Sequence, residues 1–281
     1  MAVSHLYDPA GRETVLGNYF STGAALAVFT STFDAMNNRL SVLEVNSSLT
    51  TYGYDVSYQL MSEQRSGSNA FNASVVYDSL GNRLVANENG AITTSAFNAA
   101  NELVLLTPGT GQPTSSNYDG NGNLILENAG GALTSYSWDY ENRLTGVAYP
   151  TGQPQTFGYA ANGQRTQVTN SGSSLTHDLW DGDNLLLSTN TSLVTQVHYT
   201  DNPGYWGGLV SQRQSTGSSF YGFDGPGNTR ILVSSAGSLL ASYLYEAFGL
   251  EILTPSASNV YWFGGQFGYQ RDVSNRYYVR A

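Results

Sequence analysis

Short runs in which apolar and polar residues alternate, broken by clusters of Gly, Asn, Asp and Ser, recur along the whole chain. A period of two sends successive side chains to opposite faces, so each run predicts a half-buried β-strand. The stretch Val75-Val76-Tyr77-Asp78-Ser79-Leu80-Gly81-Asn82-Arg83-Leu84-Val85 continues through Asn89-Gly90 to Ala91-Ile92-Thr93 and reads as strand, turn, strand, hairpin turn, strand. Asn89-Gly90 marks a tight hairpin because both residues tolerate the positive φ of a type I′ turn. Comparable breakers fall at Gly130-Gly131, Thr151-Gly152, Ser171-Gly172 and Ala236-Gly237. Helix signals are nearly absent: Gly recurs often, and no window holds a clean apolar period of about 3.6 residues.

An aromatic residue followed by a small acid or amide punctuates these runs. The positions are Tyr7-Asp8, Phe33-Asp34, Tyr54-Asp55, Tyr77-Asp78, Phe97-Asn98, Tyr118-Asp119, Trp138-Asp139, Tyr159, Trp180-Asp181, Tyr199, Phe223-Asp224 and Tyr245-Glu246. Their spacings are 26, 21, 23, 20, 21, 20, 21, 21, 19, 24 and 22 residues, which marks a tandem array of one small unit. Two strands of about 5–6 residues with two short turns account for roughly 20 residues, so the unit is a hairpin. Several strands carry a second aromatic two residues before the anchor, as in Tyr52/Tyr54, Tyr136/Trp138, Phe157/Tyr159, Tyr221/Phe223 and Tyr243/Tyr245. Such pairs share one face, and rings of neighbouring units are expected to form ladders there.

Composition narrows the chemistry. Of 281 residues only 11% are charged, all eleven basic residues are Arg, and the formal charge is −10. Lysine-dependent chemistry is therefore absent, and a nucleic acid or an anionic membrane is repelled on average. With no cysteine there is no disulfide, thiolate metal site or cysteine nucleophile. His5, Asp8, Arg12 and Glu13 interrupt the first twenty residues, so no signal peptide is visible at Met1. The longest apolar stretch, Ala24 to Phe29, is far short of the ~18 residues that span a bilayer. Abundant aromatics and glycines fit a secreted or cell-surface β protein.

The anchors resemble the YD repeat of the Rhs family, which also includes toxin-complex shells and teneurins. The matching stretches are Tyr118-Asp119-Gly120-Asn121-Gly122-Asn123-Leu124, Trp138-Asp139-Tyr140-Glu141-Asn142-Arg143-Leu144 and Tyr77 to Leu84. The last sixty residues are similar to the Rhs core-associated region. Tyr221 to Arg230, Tyr243 to Gly249, Phe263-Gly264-Gly265-Gln266 and Tyr277 to Ala281 follow its order. Glu246 replaces the usual Asp, Asn275-Arg276 replaces a favoured Gly turn, and the family's self-cleaving aspartates and variable toxin tip would lie past Ala281. The resemblance implies a β-ribbon that spirals into a hollow shell around a toxic C-terminal domain, and two regions: a YD-repeat array at 1–220 and core-associated terminal repeats at 221–281.

Bland readings outweigh sharp ones at each candidate residue. The anchor Asp is expected to cap its own turn by accepting backbone N–H groups. Arg12, Arg39, Arg83, Arg143, Arg165 and Arg230 follow anchors, and we expect each to stack on an anchor ring or pair with a neighbouring unit's Asp. Asp119-Gly120-Asn121-Gly122-Asn123 opens like a calcium loop, but Leu124 and Gly130 stand where that loop needs Gly and Glu. His5, His177 and His198 have no partner at ligand spacing, and no nucleophile or phosphate-loop motif occurs. Asn46-Ser47-Ser48, Asn72-Ala73-Ser74 and Asn190-Thr191-Ser192 are acceptor triplets for glycosylation only on a glycosylating secretory route.

The fold expected is all-β: tandem antiparallel hairpins forming a wide curled sheet, tube or shell. No catalytic, cofactor-binding or metal residue is assigned. The structural anchors are Tyr54, Asp55, Tyr77, Asp78, Tyr118, Asp119, Trp138, Asp139, Phe223, Asp224 and Tyr245. The leading expectation is a non-enzymatic shell segment that encapsulates or presents a cargo. Its partners would be the remainder of a longer Rhs shell or further copies of itself, with a toxin as cargo. One alternative is an extracellular filament or tube built by edge-to-edge stacking. Another is an adhesion or glycan-binding module using exposed Tyr and Trp, including Trp206 and Trp262.

Overall fold

The computed structural model describes the chain except residues 171–173, 204–207, 254, 256, 273–275, 280 and 281. The Ser171-Gly172 turn, Trp206, Asn275 and the Arg280-Ala281 end therefore lie outside the described residues. The fold is all-β, with 23 strands in one sheet and two small two-stranded sheets after it. Each described pairing in the main sheet is antiparallel and joins strands consecutive in the chain. The helical element among the described residues is a short 3-10 turn at Gly265–Phe267. No described helix is long and apolar enough to cross a membrane.

The chain divides into two compact units: Ser74–Trp180 with Leu187–Gln196, and Met1–Ala73 with Asp181–Leu186 and Val197–Ala281. In the first, which we call the array unit, hairpins meet at two kinds of turn. Glu88 pairs with Ala91 across Asn89-Gly90, whose φ values of 53° and 90° are both positive, as a type I′ turn needs. Gly130-Gly131 does the same between Ala129 and Ala132, with φ 61° and 98°. The other turn follows Tyr77, Phe97, Tyr118, Trp138 and Tyr159, whereas Trp180-Asp181 stays in its strand and turns at Gly182-Asp183. The strand register slips by one residue just before the turn at Asn117/Tyr118, Ser137/Trp138 and Gly158/Tyr159. Such a bulge bends the strand and re-aims the anchor ring.

Tyr136 lies opposite Val147, and Phe157 opposite Val168. These four make a buried cluster in the array unit, with Leu124, Trp138, Leu144, Tyr149 and Tyr159 packed against it. The ring two residues before an anchor is thus buried, while the anchor itself is half-buried at the rim of that cluster.

In the second unit, Leu16, Ala27, Phe29 and Val42 from the early hairpins close a core with Ile231 and Val233 from the late ones. Beyond the last strand of the large sheet, Leu239–Ser242, the chain departs from the expected row of side-by-side hairpins. Leu244–Tyr245 pairs with Glu251–Leu253, and Gln270–Arg271 with Tyr277–Tyr278, in separate small sheets. These strands are too short to continue a ladder, and their segment returns across its own unit. Thr229 donates its N–H to the Trp262 carbonyl at 2.9 Å and its hydroxyl to the Tyr261 carbonyl at 2.7 Å. Gly227 receives the Gln266 N–H at 3.0 Å, and a Cβ there would meet the Phe267 ring at 2.3 Å, so only glycine permits this approach. Edge-to-face rings complete the layer: Tyr199 with Tyr261 at 5.0 Å, Tyr243 with Trp262 at 5.4 Å and Tyr245 with Phe263 at 5.8 Å.

Candidate functional site

The repeated element of the chain is the turn that follows most of the anchors. Asp119 shows its bonds: its N–H donates to the Asn123 carbonyl at 2.9 Å, and Gly122 N–H returns to the Asp119 carbonyl at 3.1 Å. Asp119 Oδ1 accepts the N–H groups of Asn121 and Asn123, both at 2.9 Å, and Oδ2 accepts the Asn123 side-chain amide at 3.0 Å. Asp34, Asp55, Asp78 and Asp139 accept the same two backbone donors, and Asn98 does so through its amide oxygen. The fourth residue of this turn has positive φ at Asn37, Gly81, Asn101, Gly122 and Asn142, and also at Tyr58, where glycine-seeking alone would miss it. The same turn forms from Ala160 to Gly163 and from Asn190 to Leu193 without an acid at its start.

These bonds explain the acidity. The Asn123 side chain and then the N–H groups of Asn123 and Asn121 hold Asp119 below its ordinary 3.8. Asp78 and Asp34 are lowered chiefly by the side chains of Asn82 and Asn38, and Asp139 and Asp8 chiefly by the N–H groups of Arg143 and Arg12. The calcium-like stretch at Asp119 therefore spends its carboxylate on its own turn.

The anchor ring does more than fill space. Tyr54, Tyr118 and Tyr159 donate their hydroxyls to the carbonyls of Arg39, Leu103 and Leu144 at 2.9, 2.9 and 2.7 Å. Trp138 and Trp180 donate indole N–H to the carbonyls of Leu124 and Arg165, both at 2.8 Å. Each acceptor begins the strand after the preceding anchor turn, so the ring links one repeat to the next. The sequence signal for this was the preference for Tyr and Trp over Phe, which share burial but differ in the polar tip.

Arg12, Arg39 and Arg143 stack on anchor rings as expected, but the acid partners differ from expectation. Arg12 and Arg143 bond the Asp of their own turn through Nε at 2.6 and 2.7 Å, not a neighbour's, because a residue four on lies directly across the turn. Their guanidinium groups also sit over the next anchor ring, Phe33 at 5.4 Å and Tyr159 at 5.1 Å. Arg39 lies over Phe33, Arg165 over Phe157 and Arg230 over Phe29. His5 meets Glu13 at 2.6 Å, while His177 and His198 lie opposite Gln167 and Arg213 in their ladders. Trp262 is only 6% exposed, with Arg271 stacked 4.0 Å from its ring, so it does not offer the exposed platform expected of it.

The Asp224 turn differs from the others. Pro226 stands two residues on and has no N–H, so Oδ1 takes the Asn228 N–H at 2.9 Å without a donor from that position. Oδ2 faces the Asn228 amide at 3.3 Å and Arg230 at 3.6 Å. Arg230 also donates to Glu44 at 2.7 Å and to the Tyr243 carbonyl at 2.9 Å. Glu44 receives a two-pronged bond from Arg65 at 2.8 and 2.9 Å. Burial works to raise Glu44, but Arg65 and Arg230 outweigh it and hold it below 4.5. For Asp224, burial prevails over Arg230 and Asn228 and lifts it above 3.8. Nearby, Glu63 accepts the Ala247 N–H at 2.6 Å, and burial, aided by the Glu246 charge, raises it to about 7.

Residues 118–154 match the family model described as RHS Repeat. No curated protein matches the chain. Among solved structures, TcdB2-TccC3 lacking its hypervariable C-terminal region aligns over 98% of this chain and 19% of its own, at 14% identity and a TM-score of 0.47. The TcdB2-TccC3-Cdc42 complex aligns with the same coverages at 13% identity and a TM-score of 0.45. The Photorhabdus luminescens Tc holotoxin pore does so at 13% identity and a TM-score of 0.43. The chain thus spans about a fifth of the solved chains it resembles. With the anchor turn in place and the matched segment running through Tyr118-Asp119 and Trp138-Asp139, residues 118–154 of the chain carry an RHS repeat.

Proposed function

We propose that this chain is a structural, non-catalytic segment of an Rhs-type β-shell that encapsulates or presents a cargo, with the rest of the shell as its partner. The observation that carries the reading is the edge strand Ala2–Tyr7. All six of its residues are exposed, Val3, Leu6 and Tyr7 among them, and its described pairing is with Glu13–Tyr19 on one side. An exposed strand with apolar side chains is a template for another strand. A wall of hairpins bonded ring to carbonyl suits enclosure better than turnover, and the anchor carboxylates are committed to their turns. A toxin cargo and a secreted or cell-surface location follow from the family reading.

The opposite edge supports a second reading. Leu239–Ser242 has its described pairing with Thr229–Ser234 alone, so copies of the chain could join edge to edge into a filament. Adhesion through exposed rings rests on Tyr140, at 91% exposure, and Tyr58, at 55%. Light scattering combined with hydrogen exchange separates the readings. A monomer whose Ala2–Tyr7 amides exchange freely fits a shell segment awaiting its neighbour. A mass that grows with concentration while those amides become protected fits the filament and defeats the segment reading. Glycan binding lost in Tyr140→Ala fits adhesion.

A further inference from the structure

Within the unit that contains both termini, a cavity of about 200 Å³ lies between the early hairpins and the returning C-terminal segment. Three guanidinium groups line it, those of Arg39, Arg65 and Arg230. Arg65 and Arg230 are held by Glu44, with Asp224 beside Arg230. Arg39 has no carboxylate within ion-pair reach among the described residues, and its Nε is buried without a hydrogen-bond partner. Its Nη2 lies against Gly225, 3.0 Å from where a Cβ would stand. Tyr245 lines the same cavity; it is 8% exposed, and its hydroxyl is also buried without a partner. Two buried polar groups of this kind cost stability unless something bonds them.

We propose that this cavity binds a small monocarboxylate, held by the Arg39 guanidinium and the Tyr245 hydroxyl. Arg39 lies in the field of Asp224, with Glu13 also beside Gly225, but neither makes an ion pair with it, so its planar fork remains matched to one singly charged carboxylate. Leu60, Leu244 and Phe263 line the same space and suit a short apolar tail. A doubly charged anion would meet Glu44, Glu63 and Asp224 in the wall. Glu63 gives the site a dependence on pH. It faces Tyr52 and Tyr54 from the strand beside it, Arg65 on its own strand, and Glu246 and the Ala247 N–H from the returning segment. Protonated, it leaves the cavity open to an anion; ionised as pH rises through about 7, it repels one. The carboxylate could be a free small acid or the acidic side chain of a peptide, and both have the same chemistry.

Thermal unfolding of the full chain tests this, with sodium acetate, with a blocked peptide carrying one Glu, and with sodium chloride at equal ionic strength. Acetate or the peptide should raise Tm by about 2–4 °C once it exceeds its Kd about fivefold, and chloride should not. The responding probe identifies the source. The rise should disappear in Arg39→Gln, shrink in Tyr245→Phe and weaken between about pH 6 and about pH 8 in the wild type. Glu63→Gln should keep the rise at the higher pH, which guards against a misfolded Arg39 variant. No rise with either carboxylate, an equal rise with chloride, or an undiminished rise in a folded Arg39→Gln would overturn the proposal.

Discussion

Asp119 and Asp224 close the same backbone turn in the two units but arrive at opposite acidities. Exposure does not separate such turns: the side chain of Asp139, which closes another array turn, is 18% exposed and that of Asp224 13%. The donors and the protein behind them do. Asp119 has two backbone N–H groups and an amide, at the rim of its hairpin. Asp224 loses one N–H to Pro226 and lines a cavity together with Leu244, Tyr245 and Phe263, where burial penalises its charge. One motif therefore does two jobs. In the array it organises a turn; in the other unit its acid joins a charge cluster that ties the strand Thr229–Ser234 to the early hairpins.

The sharpest way to break this comparison is Glu44→Ala. It leaves Arg65 and Arg230 buried without their shared carboxylate, and should cost about 3–5 kcal/mol in the unit that holds them. A denaturant transition of that unit shifted by less than about 1 kcal/mol would show that the cluster does not fasten it. In the array unit the largest effect should come from packing. Tyr136→Ala empties a site that is 9% exposed and should cost about 3 kcal/mol, with less from the half-buried Trp138.

The pH responses should run in opposite directions. The folded-state pKa of Asp78, Asp119 and Asp139 lies below the ordinary 3.8, so their contribution is present above that value and lost as pH falls through the folded pKa. Glu63 is raised from 4.5 to about 7, so its contribution is complete below 4.5 and lost as pH rises through about 7. Unfolding followed from about pH 4 to about pH 8 should show a loss on the order of 2–3 kcal/mol that Glu63→Gln removes. Tyr118→Phe should have the smallest effect, about 0.5–1.5 kcal/mol for the lost bond to the Leu103 carbonyl. A fully neutral result would mean that the ring tip links no repeats.

Much of the array was legible because each of its rules is local. Period-two alternation marked the strands, Asn89-Gly90 and Gly130-Gly131 marked the tight turns, and the aromatic-acid beat set the hairpin length. Pro226 was also in view, and it removes a donor by covalent structure alone. The Tyr118 hydroxyl bond was not legible, since its acceptor, Leu103, lies 15 residues back and depends on the bulge before the anchor. Less visible still was the charge cluster. Arg230 and Glu44 are 186 residues apart, and nothing near either one announces the other. The return of residues 244–278 likewise follows from long-range contacts at Gly227 and Thr229, which a row of repeats does not imply.

The central claim is that one turn carries two electrostatic roles, and the direct measurement is a titration of the side-chain carboxyl carbons of Asp119 and Asp224 by nuclear magnetic resonance in the intact chain. Asp119 should titrate below 3.8 and Asp224 above it. Coincident titrations, or the reverse order, would contradict it.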